Sequence, residues 1–273
     1  MRRVRTLGLR ATVIAVLFSV SACSARTSPS ASPTQAPTAR PTPTALPTSS
    51  LATELAGSTP VQFLSTDGVR LQGRVFGSGS VGVVLAHGAA EDGQAQGEWF
   101  PFARKLADQG YMAMTLDLRG YCPGGLNGCS EGTTIGPDTW QDVMGAVQLL
   151  RERGATKVFA MGASGGARSC VWAASRPGTN LDGVIGVSTP QNAIAAYRPG
   201  YDFTAKVIGA IHAPILFVAG DQDHSYAAEA TTMYGWANQP KKLAIVGSAD
   251  HGALLLQNPG AVAAVLDFLH EHS

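Results

Sequence analysis

From residue 61 onward, short apolar runs of strand length alternate with stretches of helical length, and this alternation most restricts what the chain can become. It is the pattern of a βα-repeating, mostly parallel sheet. Segments 81–86, 111–116, 157–161, 181–188, 214–219 and 241–246 read as buried strands. Two further runs, 61–64 and 69–76, are separated by Ser65-Thr66-Asp67-Gly68 and read as an opening antiparallel hairpin with Asp-Gly at its turn. Helices fit between the runs at 99–109, 137–153, 165–175, 227–236 and 259–270, with Pro137 and Pro259 suited to a first helical turn. The expectation is eight strands, six of them in the parallel part, with helices on both faces. About 25 residues separate the strand ending near Ser188 from Pro214, which leaves room for one short helix at 203–209 and none for a large lid domain.

The first 58 residues obey other rules. Arg2, Arg3, Arg5 and Arg10 precede an apolar run from Ala11 to Val20, and the run stops at Ser21-Ala22-Cys23. That run is about half of the ~20 residues that span a bilayer, so it reads as a cleaved export signal rather than a membrane helix. Small residues just before a cysteine resemble the lipobox of bacterial lipoproteins. The resemblance implies cleavage after residue 22, a lipid on Cys23, and anchoring to the outer face of a bacterial cell membrane. Residues 24–50 are Ser, Thr, Ala and Pro almost throughout, with six of the sixteen prolines, and cannot bury a core. The expected organisation is a leader over 1–22, a tether over 23–58 and one catalytic domain over 59–273. Residues 1–50 hold six arginines and no acid, which leaves 14 basic groups against 19 acidic from Leu51 onward. A part with that balance has no electrostatic footprint for nucleic acid.

In an open α/β sheet, ligands bind beyond the carboxyl ends of the strands, and four of these ends are chemically loaded. Run 157–161 leads into Gly162-Ala163-Ser164-Gly165-Gly166 and then a helix. A reactive serine needs such a tight turn, and glycines two positions to either side let strand and helix approach without Cβ clashes. The other ends carry His87-Gly88, then Gly220-Asp221-Gln222-Asp223-His224, and finally Gly247-Ser248-Ala249-Asp250-His251.

His87-Gly88, Asp117-Leu118-Arg119-Gly120 and Gly162 to Gly166 together resemble the α/β-hydrolase superfamily over residues 61–273. The resemblance, closest to the dienelactone-hydrolase and small-esterase branch, implies a nucleophilic Ser164 with His251 as its base. It selects Asp223 as the acid through the pattern Gly-x-x-Asp, with Asp221 as the rival two residues away. It implies oxyanion donors in the backbone N–H groups of Gly165 and Ala89, with Ala90 as the alternative to Ala89, and a structural role for His87. The implied activity is cleavage of carboxylic esters in a small acyl substrate through an acyl-enzyme. Hydrolysis of acyl-peptides or amides by the same triad is the alternative, and a noncatalytic surface-binding lipoprotein is a third reading from another class.

No cofactor, metal or obligate protein partner is expected, since no Cys/His cluster has zinc spacing and no glycine-rich phosphate loop is present. Export favours pairing of cysteines, and the turn-rich stretch from Cys122 to Cys129 is short enough to join its ends as a disulfide. Cys170, early in the helix after Gly166, reads as a small buried side chain. Trp99, Tyr121, Tyr201 and Tyr226 are candidates to wall the pocket.

Overall fold

The computed structural model describes residues 53, 55–89, 95–122, 128–133, 137–192 and 201–273. The expected leader, Cys23 and most of the tether lie outside the described residues. Eight strands form one sheet: β1 (Ser58–Leu64), β2 (Arg70–Phe76), β3 (Val81–Ala86), β4 (Met112–Asp117), β5 (Lys157–Ala163), β6 (Gly183–Val187), β7 (Ile215–Gly220) and β8 (Lys241–Val246). Their spatial order is β1-β2-β4-β3-β5-β6-β7-β8. Strands β3 to β8 run parallel, whereas β1 pairs with β2 and β2 with β4 in the antiparallel sense. The hairpin predicted from Asp-Gly is therefore the mixed edge of a mostly parallel sheet. Gly68 takes a φ of +87° there, and its N–H donates to Ser65 O.

The period-two geometry of each strand sorts its residues to two cores. Val84 and Ala86 of β3 and Val158 and Ala160 of β5 face one core, built with α2 (Trp140–Glu152), α3 (Gly165–Ala174), α4 (Ala205–Ile208) and α5 (Tyr226–Trp236). Val83, Leu85, Phe159 and Met161 face the other, covered by α1 (Phe100–Asp108) and α6 (Pro259–His272). Burial on both faces explains why these strands read as continuous apolar runs. Helix α6 starts where the sequence places it: Pro259 occupies the first turn, and Asn258 Oδ1 caps the N–H groups of Gly260 and Ala261.

Some boundaries shift for physical reasons. The helix expected from Trp99 begins instead at Phe100, after a 3₁₀ turn over Ala95–Trp99. The short helix expected at 203–209 is the single turn α4, whose Thr204 hydroxyl accepts Val207 N–H. Helix α3, by contrast, is buried at every position after Gly165, so the element behind the Ser164 turn is held from all sides.

Loops at the carboxyl rim are tied together by buried polar groups. Arg119, just past β4, donates to both oxygens of Asp67 in the hairpin turn and to Asp142 on α2. Asp117, at the end of β4, accepts the backbone and side-chain N–H groups of Gln96. Burial pushes its carboxyl up to about 6, although both Gln96 hydrogen bonds pull the other way.

Candidate active site

Ser164 sits between β5 and α3 with φ +49° and ψ −114°, in a region that non-glycine residues seldom occupy. The neighbouring glycines make the turn possible. A Cβ on Gly162 would lie 2.3 Å from the carbonyl carbon of Gly166, and one on Gly166 would lie 2.2 Å from Ala86 O and 2.4 Å from His87 O. Strand, helix and the loop after β3 therefore meet at distances that only glycine allows. Strain at Ser164 is held in place by its own N–H, which donates to Val187 O at 2.9 Å.

His251 follows β8 and presents Nδ1 to the carboxylate of Asp223, at 3.0 and 3.1 Å from its two oxygens. Asp223 is only 1% exposed, while the His251 side chain remains 40% exposed. The Tyr226 ring lies against the imidazole, with centroids 4.6 Å apart. Burial, then the charges of Asp223 and Glu229, raise the pKa of the Tyr226 phenol. Asp221 is placed differently: it is exposed, and Oδ1 accepts Ser248 N–H at 3.0 Å. The structure thus brings Asp223, not Asp221, to His251. Ser164 and His251 open onto one cavity of about 460 Å³. No hydrogen bond joins the Ser164 hydroxyl to another group among the described residues.

The loop after β3 completes the site. His87 is fully buried; its Nδ1–H donates to Gly88 O at 2.6 Å, and Nε2 accepts Leu118 N–H at 3.0 Å. Burial lowers its pKa to about 4, against the pull of the Gly88 bond, so the ring is a neutral strut for this loop. Gly88 N–H donates to Glu98 Oε1 at 2.9 Å. Ala89 N lies 4.0 Å from where a Gly165 Cβ would stand, so the Ala89 backbone nitrogen is a near neighbour of Gly165, the residue after Ser164. Ala90 lies outside the described residues.

Other sequence expectations meet different fates. Cys122 and Cys129 are joined as a disulfide, and Cys170 is buried, its thiol pKa pushed up by desolvation. Trp99 lies in the core, Tyr121 packs edge-on to His87, and Tyr201 packs on Trp172. Of the four aromatic candidates none lines the cavity; its apolar wall is Pro101, Phe102, Leu254 and Leu256, and its polar side chains besides Ser164 and His251 are Glu98, Lys105 and Gln257. Pro101, Phe102 and Lys105 carried no sequence signal beyond the amphipathic pattern of α1, and Glu98, Leu254, Leu256 and Gln257 sit in 3₁₀ turns over Ala95–Trp99 and Gly252–Gln257, where nothing local says which turn borders a site. Among the described residues no group of three or more His, Cys, Asp or Glu is arranged to hold a metal.

No family model and no curated protein matches the chain. Solved structures do. An esterase of Pyrococcus furiosus superposes with a TM-score of 0.66 at 16% identity, covering 81% of this chain and 93% of that one. An α/β hydrolase, GrgF, from a Penicillium species matches with a TM-score of 0.61 at 16% identity, over 79% and 98% of the two chains. A dienelactone hydrolase from Anabaena variabilis matches with 0.56 at 19% identity, over 79% and 97%. At such identities the likeness establishes the fold: this chain has the α/β-hydrolase fold.

Proposed function

We propose that the protein is a serine hydrolase of carboxylic esters, with Ser164 as nucleophile, His251 as base and Asp223 as the acid that orients it. The observation that carries this reading is the strained Ser164 turn sharing one cavity with an imidazole whose far nitrogen is held by a buried carboxylate. Ser164 Oγ attacks the ester carbonyl carbon while His251 Nε2 takes the hydroxyl proton, a contact that closes when substrate fills the cavity. The amides of Gly165 and Ala89 receive the developing oxyanion. Collapse expels the alcohol, which leaves with the proton from His251. Water then gives a proton to His251, attacks the acyl-enzyme, and releases the carboxylic acid as Ser164 recovers its proton. Asp223 stabilises the imidazolium in both halves. The names of the structural neighbours, esterase and dienelactone hydrolase, support the same reaction class.

Fluorophosphonate labelling of wild type and of Ser164→Ala tests the reading. Wild type should be labelled at Ser164 and hydrolyse p-nitrophenyl esters faster than p-nitroanilides; a folded Ser164→Ala variant with undiminished hydrolysis would remove it. The proposal includes export and a lipid anchor on Cys23, resting on the arginine-rich start, the apolar run and the small residues before the cysteine. Metabolic palmitate should label wild type and not Cys23→Ala.

A further inference from the structure

Among the described residues, the cavity at Ser164 carries charged side chains at two separate places. Glu98 is engaged at the inner end, where it accepts Gly88 N–H, and a Cβ on Gly88 would lie 3.3 Å from the Cβ of Ser164. Lys105 comes seven residues later, mostly along α1, so its backbone stands about 11 Å further down the helix axis. Among the described residues neither the Lys105 ammonium nor the Gln257 amide has a hydrogen-bonding or ionic partner, although both border the cavity. Lys157, Lys241 and Lys242 each donate to a named acceptor. Phe102 and Leu256 line the same cavity and offer surfaces for hydrocarbon.

Those groups suit an occupant with a carbonyl at Ser164, an apolar portion, and a group able to accept hydrogen bonds from an ammonium and an amide. An anion meets the last requirement, and a cation there would face Lys105.

We propose that this cavity takes an ester bearing an anionic group, such as a carboxylate, set off from the scissile carbonyl by an apolar spacer, with Lys105 and Gln257 as the recognition pair. The proposal rests on the hydrolase reading above and names its substrate class. The anion can be carried by the acyl or the alcohol portion, so the experiment supplies both. Rates of hydrolysis would be followed by pH-stat for monoethyl adipate, 4-(butanoyloxy)butanoate with its carboxylate free, neutral ethyl hexanoate and cationic ethyl 6-aminohexanoate. Wild type should prefer at least one anionic ester over the neutral one by about tenfold in kcat/KM, with the cationic ester slowest. The ratio should shrink as salt is raised, because Lys105 is solvent-exposed. In Lys105→Met the anionic-to-neutral ratio should fall to near one, and in Lys105→Glu the order should invert. Hydrolysis of the neutral ester with no anionic preference, or a preference that survives Lys105→Met, overturns the substrate class and leaves the hydrolase reading standing. Failure to hydrolyse any of the four esters overturns both.

Discussion

Replacing Asp223 by Asn changes the charge of the proposed relay with little change in its shape. The Asp223 carboxylate is 1% exposed and presents both oxygens to His251 Nδ1, at 3.0 and 3.1 Å. As Ser164 attacks, the imidazole becomes positive, with its charge centred about 4 Å from the carboxylate. The ring is 40% exposed, so an effective dielectric of ~20 applies, and the attraction is about 4 kcal/mol. At ~1.4 kcal/mol per decade, its loss costs close to three powers of ten in rate. The amide adds a second effect of the same sign. An Asn N–H facing Nδ1 forces the ring proton onto Nε2, the atom that has to receive the serine proton, and in a worked triad the same substitution costs ~10⁴ in all, both effects included. The expected result is a kcat lower by about 10³- to 10⁴-fold with KM within about threefold. Initial rates on p-nitrophenyl acetate, with circular dichroism to verify folding, would measure it. Asp221→Asn is the companion variant and should stay within about threefold of wild type, since exposed Asp221 accepts only Ser248 N–H and the Gln222 side-chain amide and makes no contact with His251. A folded Asp223→Asn enzyme retaining more than a tenth of kcat, or an equal loss in Asp221→Asn, would refute the reasoning.

Three further outcomes follow from the same geometry. Gly166→Ala places a Cβ 2.2 Å from Ala86 O, about 1 Å inside normal contact, where only backbone can yield; unfolding free energy should drop by about 2 to 3 kcal/mol and any residual activity by at least ~10²-fold. A denaturant midpoint unchanged from wild type would contradict it. Ser188 lies just past β6 with φ +47° and accepts the buried Gly252 N–H at 3.1 Å, next to His251. Ser188→Ala and Ser188→Gly should both lower kcat by about tenfold with little effect on KM; recovery in the glycine variant, which relieves the strain and still lacks the hydroxyl, would show that strain alone was at issue. Asp117, raised to about 6, holds its proton in the folded state at pH values where the unfolded chain has lost it. Its contribution is therefore present below ~3.8 and lost as pH rises through ~6, about 3 kcal/mol in total. Wild type minus Asp117→Asn, measured by urea unfolding from pH 4 to 7.5, should show that decline, and a flat difference would sink the assignment.

What the sequence discloses divides along a physical line. Strand runs were legible because burial on both faces leaves continuous apolar segments, and Ser164 and His251 were legible because chemistry in this architecture gathers where such runs end. The pairing of His251 with Asp223 rather than Asp221 was expected only through resemblance, since two residues of loop separate the candidates and only folded geometry buries one and exposes the other. The cavity wall was not legible. Trp99 looked like a wall residue and is core, buried at the end of the 3₁₀ turn over Ala95–Trp99, while Phe102 and Lys105 on the following helix reach the cavity. The Gln96–Asp117 contact and the Glu98–Gly88 bond also join residues whose meeting depends on tertiary closure.

The rim is held by more than the three proposed reactive side chains. Four non-glycine residues of the described chain have positive φ, and Ser164, Ser188 and His224 among them follow β5, β6 and β7, which are neighbours in the sheet. Strain concentrated at one edge needs a counterweight there, and the backbone supplies it. Ser164 N–H donates to Val187 O, Ser188 N–H to Val218 O, and Asp221 N–H to Val246 O, so the parallel ladder runs one step beyond each strand. Gln222 N–H then bonds Ser248 O, and Gly252 N–H bonds Ser188 Oγ, which ties the loop carrying His251 to the same edge. If these bonds keep the strained residues in place, they can open only when the sheet opens. Native-state hydrogen exchange should therefore give the amides of Ser164, Ser188 and Asp221 opening free energies within about 1 kcal/mol of global unfolding, unlike ordinary loop amides. Fast exchange at Ser164 and Ser188 alongside slow exchange in β5 and β6 would mean the rim moves independently of the sheet, and the preorganisation attributed to it would then have to come from bound substrate.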